Sequence, residues 1–118
     1  MVTIYHNENC SKSREALDAL RQRASQAGEP VEIVEYMKTP LDADQLRALH
    51  AKLGVPAQEM LRTNEDAYKS LGLADAKYDD DALLAVVATN PALLQRPIVV
   101  RGEKAVIARP ADKLDALF

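Results

Sequence analysis

The residues that could do chemistry gather around Cys10, the only cysteine in the chain, with His6 four positions before it and Arg14 four positions after it. A lone cysteine is usually a small buried hydrophobe, but Cys10 is flanked by Asn9 and Ser11 in a polar stretch, "HNENCSKS". A thiol attacks only as its thiolate, and free cysteine has a pKa of roughly 8.5, so a reactive site must bring that value down. Several neighbours push in that direction. Cys10 falls at the N-cap or first turn of a helix, where unpaired N–H groups and the helix dipole favour negative charge. His6 can assist electrostatically or by a hydrogen bond, and Lys12 and Arg14 add positive potential. The hydroxyls of Ser11 and Ser13 can donate to the sulfur or to a bound oxyanion, and Asn7 can brace the loop.

Cys10 to Ser13 has the spacing of a redox Cys-x-x-Cys pair with a hydroxyl in place of the second thiol. Such a site can attack and form a mixed disulfide but cannot resolve it. Another molecule must do so by thiol exchange, which implies an external thiol such as glutathione or a glutaredoxin. Three arginines complete the set: Arg62 in "MLRTNE", Arg96 before Pro97, and Arg109 before Pro110. Guanidinium groups present paired donors and never lose their charge, which suits a tetrahedral oxyanion.

The elements that must position these groups follow from the pattern. "VTIY" is β-branched and aromatic and predicts a strand. From Ser11 to about Gln26 the period is helical, with Leu17, Leu20, Ala24 and Ala27 on one face and Gly28 and Pro30 ending it. "VEIVEY" predicts a second strand. Thr39, Pro40 and Asp42 are expected as N-cap, first-turn proline and N3 acid of a helix carrying Leu46, Leu49 and Leu53. "TNEDAYKSLGL" and "YDDDALLAVVATNP" predict two more helices. "RPIVV" and "KAVIARP" predict an antiparallel hairpin turning at Arg101-Gly102, and "PADKLDALF" a last helix. The sum is α/β: a βαβ unit, a helical insertion over about 41–92, and a ββα unit. One mixed four-stranded sheet with helices against it is the thioredoxin-like architecture. The pattern alone leaves other small α/β sandwiches open, and the thiol after the first strand favours the thioredoxin-like one. In that fold the loop before the third strand carries a proline, usually cis, beside the reactive cysteine. Arg96 would then reach the thiol, and the three arginines would stand at element boundaries gathered at one end.

With 118 residues the chain is expected to be a single domain, 1–118. Hydrophobic residues are 47%, charged residues 28% and the net charge is −3, with no basic stripe, so no nucleic-acid partner is expected. No apolar run approaches the roughly 20 residues of a membrane span, and no signal peptide is expected before the first strand. A single cysteine points to a reducing cytosol and excludes an internal disulfide. A monomer is expected, with no bound cofactor and no metal, since no His/Cys/Asp cluster has ligand spacing. A phosphatase loop of the Cys-x5-Arg type is not expected, because Arg14 comes too early.

"IYHNENCSKSR", "LRTNE", "YKSLGL", "RPIVV" and "ARP", running in order from Thr3 to about Leu114, resemble the thiol-dependent arsenate reductase family that couples to glutathione and glutaredoxin. The resemblance implies arsenic detoxification: Cys10 as nucleophile, His6 lowering its pKa, and Arg62, Arg96 and Arg109 binding arsenate. Ser13 and Arg14 complete the catalytic motif. Glutathione would be co-substrate and glutaredoxin the partner. Glu8 stands where the family's "HNPxCxxSR" pattern has proline, and the chain stops at Phe118, shorter than relatives with a C-terminal extension. Two other classes share these features. One is a glutathione-linked thiol oxidoreductase acting on protein mixed disulfides, with the arginines binding glutathione carboxylates. The other is a non-enzymatic protein resembling the Spx-type regulators that bind RNA polymerase, although their Cys-x-x-Cys switch is absent here.

Overall fold

The structure, a computed structural model, describes residues 1–118. Its order is β1 (Val2–His6), α1 (Ser11–Ala27), β2 (Val31–Glu35), α2 (Ala43–Leu53), α3 (Asp66–Ser70), α4 (Asp80–Thr89), β3 (Ile98–Arg101) and β4 (Lys104–Ile107). Short 3₁₀ segments lie at Ala57–Met60, Pro91–Leu93 and Ala111–Ala116. The sheet runs β2-β1-β3-β4. β1 and β2 are parallel, with His6 opposite Glu35, and β1 and β3 are antiparallel, with Tyr5 opposite Ile98. This is the mixed four-stranded sheet of a thioredoxin-like fold. The turn between β3 and β4 is the two residues Gly102 and Glu103, with Gly102 at φ +63°, where a tight hairpin turn takes glycine.

The chain divides into two compact units. Residues 1–39 and 96–118 form one, which contains the whole sheet and α1. Its core is Val2 and Ile4 of β1, Ala16 and Leu20 of α1, and Val99 and Leu114, all buried. The buried stripe of α1 is Ser13, Ala16, Leu20 and Ala24, and Ala27 is exposed. The expected apolar face is therefore rotated toward the N-terminus, because small residues allow α1 to lie close on the sheet. α1 ends in a Schellman motif: Gly28 adopts φ +70°, and Glu29 N–H reaches the Ala24 carbonyl at 2.9 Å.

Residues 40–95 form the second unit, in which α2 packs on α4. Here Asp42, not Thr39, is the N-cap of α2. Its carboxylate accepts the Gln45 N–H at 2.8 Å, and Gln45 Oε1 accepts the Asp42 N–H at 2.9 Å. This capping box satisfies two orphan donors at once, which a cap at Thr39 could not do three residues upstream. The expected C-terminal helix is a 3₁₀ turn anchored by buried Leu114 and Leu117. No helix is long and apolar enough to cross a membrane.

Candidate active site

β1 delivers His6 to the sheet's end, and the loop 7–10 turns directly into α1. Cys10 is the N-cap residue, with extended φ −104° and ψ 120°. The turn is fixed locally: Cys10 N–H donates to the Asn7 carbonyl at 3.0 Å, and Asn9 N–H donates to Asn7 Oδ1 at 3.0 Å. Asn7 therefore braces the loop with both its backbone and its side chain. Arg14 reaches back to the Glu8 carbonyl at 2.6 Å, and Glu8 pairs with Lys38 at 3.2 Å. The guanidinium of Arg14 is thus spent on the loop.

The thiol of Cys10 is brought down to about 7. Partial burial pushes it up, but the Arg96 guanidinium, the Ser13 N–H, the charge of Arg96 and the Lys12 N–H together outweigh that. The helix N-terminus acts through N–H groups of its first turn, as expected for an anion at an N-cap. Cys10 in turn raises Arg96 above the ordinary arginine value, against the opposing effect of burial.

The hydroxyl of Ser13 does something other than face the sulfur. It is wholly buried, lies 2.6 Å from His6 Nδ1, and accepts the Asn7 N–H at 3.1 Å. His6, also buried, bonds to Ser13 at the root of the loop. The Lys12 ammonium pairs with Glu15 at 3.7 Å, so Lys12 serves the thiolate through its backbone.

The comparisons with known proteins fit this site. The family model described as "ArsC family" matches residues 5–117. The chain belongs to the ArsC family. It is 44% identical over 118 residues to a protein named arsenate reductase from Neisseria meningitidis serogroup A, covering 99% of this chain and 97% of that one. It is 46% identical over 114 residues to the uncharacterized protein YfgD of Escherichia coli K12, covering 96% and 92%. Among solved structures it is similar to an arsenate reductase from Vibrio cholerae, with a TM-score of 0.91 and 37% identity over 99% of this chain and 97% of that one.

In this ArsC protein, the peptide bonds Arg96-Pro97 and Arg109-Pro110 are both cis; a cis bond was expected before the third strand. Arg96 is brought to Cys10. Its Nε is buried without a hydrogen-bond partner. Arg109 is exposed; its backbone N–H donates to the Ile107 carbonyl at 2.9 Å, and its side chain makes no ion pair or hydrogen bond. Arg62 belongs to the second unit, where its N–H donates to the Leu93 carbonyl at 2.7 Å and its guanidinium pairs with Glu65. No cluster of three His, Cys, Asp or Glu side chains is gathered as a metal site. One residue escaped the sequence reading. Tyr36, wholly buried just past the end of β2, acts on Arg96. The available signal was its place: ligand sites lie beyond the carboxyl ends of parallel strands, and Tyr36 follows β2 as the Cys10 loop follows β1.

Proposed function

We propose that this ArsC protein is an oxidoreductase that reduces arsenate to arsenite through the Cys10 thiolate, with glutathione as co-substrate and a glutaredoxin clearing the product disulfide. The observation that carries this is a thiol at a helix N-terminus, lowered to about 7 by an adjacent guanidinium and first-turn N–H groups. Such a site stabilises an anionic nucleophile and an anionic substrate together. Arg62, Arg96 and Arg109 are the arsenate ligands in this reading, and Pro40–Gln95 is an insertion in one thioredoxin-like domain.

The step sequence balances. Cys10 sulfur attacks arsenic, an As–O bond breaks, and the oxygen leaves as water after protonation. A glutathione thiol adds to the same arsenic with loss of a second water. The two S–As bonds then give way to one S–S bond, and the electron pair released reduces As(V) to As(III). Arsenite leaves, and Cys10 is left joined to glutathione. Because no second cysteine is present, a glutaredoxin thiol attacks that mixed disulfide and returns Cys10 as the thiolate. His6 and Ser13 hold the loop in register during these steps, and Arg14 ties down the Glu8 carbonyl.

The test is arsenite production from arsenate by purified protein with glutathione, glutaredoxin and an NADPH-coupled recycling system, beside Cys10→Ser. Turnover that disappears in the variant supports the proposal. No arsenite from a wild-type protein whose thiol still titrates near 7 overturns it and moves the assignment to glutathionylated protein substrates.

A further inference from the structure

The register of the sheet places two residues symmetrically about the root of the Cys10 loop. On one side of β1, Glu35 is opposite His6, so Tyr36 stands one step further along, beside Asn7. On the other side, Ile98 is opposite Tyr5 in the antiparallel β3, and continuing that register two residues past the strand brings Arg96 level with Asn7. Adjacent strands are about 4.8 Å apart, so the two backbones flank β1 at about 10 Å, a gap that an arginine and a tyrosine side chain can close. They meet: the phenol of Tyr36 acts directly on the Arg96 guanidinium, which also serves Cys10.

The partners of Arg96 make Tyr36 matter. An arginine side chain has large rotamer entropy and needs fixed acceptors to hold one direction. Arg96 Nε is buried with no acceptor, and the thiolate exists only part of the time near neutral pH. The tyrosine is a rigid anchor by comparison: it is 0% exposed and has two side-chain torsions. Its hydroxyl faces a charge, so it can accept a charge-assisted hydrogen bond.

We propose that Tyr36 is a positioning residue, which aims the Arg96 guanidinium at the Cys10 sulfur and so sets the reactivity of the nucleophile and the grip on the oxyanion. The inference rests on the reading of Cys10 as nucleophile but does not need arsenate as the substrate. In this role Tyr36 acts on the thiol through Arg96.

The test is the rate of Cys10 alkylation by iodoacetamide against pH, in full-length wild type, Tyr36→Phe, Arg96→Lys and the double variant. Tyr36→Phe removes one oxygen and keeps the ring that fills the core, and a thermal melt checks that it folds. The expected result is an inflection displaced upward and a two- to threefold slower alkylation at about pH 7, with a raised KM for arsenate and a smaller change in kcat. In the Arg96→Lys background the same substitution should add little, because the coupling runs through Arg96. An inflection unmoved by Tyr36→Phe, or an equal shift with and without Arg96, overturns the inference. A wild-type inflection at the ordinary thiol value of roughly 8.5 overturns both this inference and the reading of the site. Loss of arsenate turnover alone, with the thiol shift intact, counts only against the substrate.

Discussion

Strand β3 has an arginine close to each end, and the two are treated in opposite ways. Arg101, its last residue, is saturated. Its Nε donates to Glu29 Oε2 at 2.9 Å, one terminal nitrogen donates to the Leu117 carbonyl at 2.6 Å, and its guanidinium lies 4.4 Å from the Phe118 ring centroid. The N-terminal ammonium joins the same Glu29 at 3.7 Å. Arg96, two residues before the strand, has a buried Nε without a partner and faces a thiol and a phenol. A saturated guanidinium ties chain ends to the sheet. On the proposed reading an unsaturated one keeps donors in hand for the substrate anion, at a cost in stability of about 1–3 kcal/mol for the buried, unmet group. Identical chemistry is structural at one end and, in the proposed function, at the service of the thiolate and the substrate at the other.

The sharpest way to break this contrast is to replace each arginine by methionine. Arg96→Met should lower kcat/KM for arsenate by about 10²–10³, the usual loss when one preorganised donor to a developing anion is removed. Its melting temperature should stay level or rise, since an unmet buried donor has gone. Arg101→Met should do the reverse, lowering the melting temperature by several degrees while leaving turnover nearly intact. Thermal melts and steady-state kinetics on the same preparations decide the matter.

A second, smaller effect follows from pH. The folded thiol of Cys10 lies at about 7, below the roughly 8.5 of an unfolded cysteine. The folded state therefore releases the proton first. Its stabilising contribution is complete above the unfolded value and is lost as pH falls through about 7. The melting-temperature difference between wild type and Cys10→Ser should shift in favour of wild type from pH 6 to 9, and turnover should fall about tenfold per unit below 6.

The smallest expected effect lies outside the sheet. Asp42→Ala removes the capping box of α2 and should cost about 1 kcal/mol in denaturant unfolding, with no change in the titration of Cys10. A change there would couple the second unit to the nucleophile.

Much of this was legible in the sequence because local chemistry and tertiary context agreed. β-branched runs gave the four strands, and the polar loop before Ser11 placed Cys10 at a helix start. The cis bond at Pro97 and the reach of Arg96 to the thiol followed from the order of elements. Other features depended on pairings that no spacing announces. Thr39-Pro40 looked like a helix start because proline favours the first turn, but Asp42 won through its reciprocal bond with Gln45. Ser13 looked like a donor to sulfur, yet its side chain sits on the buried face of α1, against His6 and Asn7. Tyr36 became visible only once β2 was known to run parallel to β1 and end at the same level.

The central claim is that one end of β3 is built around a thiolate, and direct titration of Cys10 by its thiolate absorbance tests it. Wild type and Arg101→Met should both titrate near 7, and Arg96→Met should move upward toward the ordinary thiol range. Titration of all three proteins at roughly 8.5, or a shift caused by Arg101→Met in place of Arg96→Met, would contradict the account.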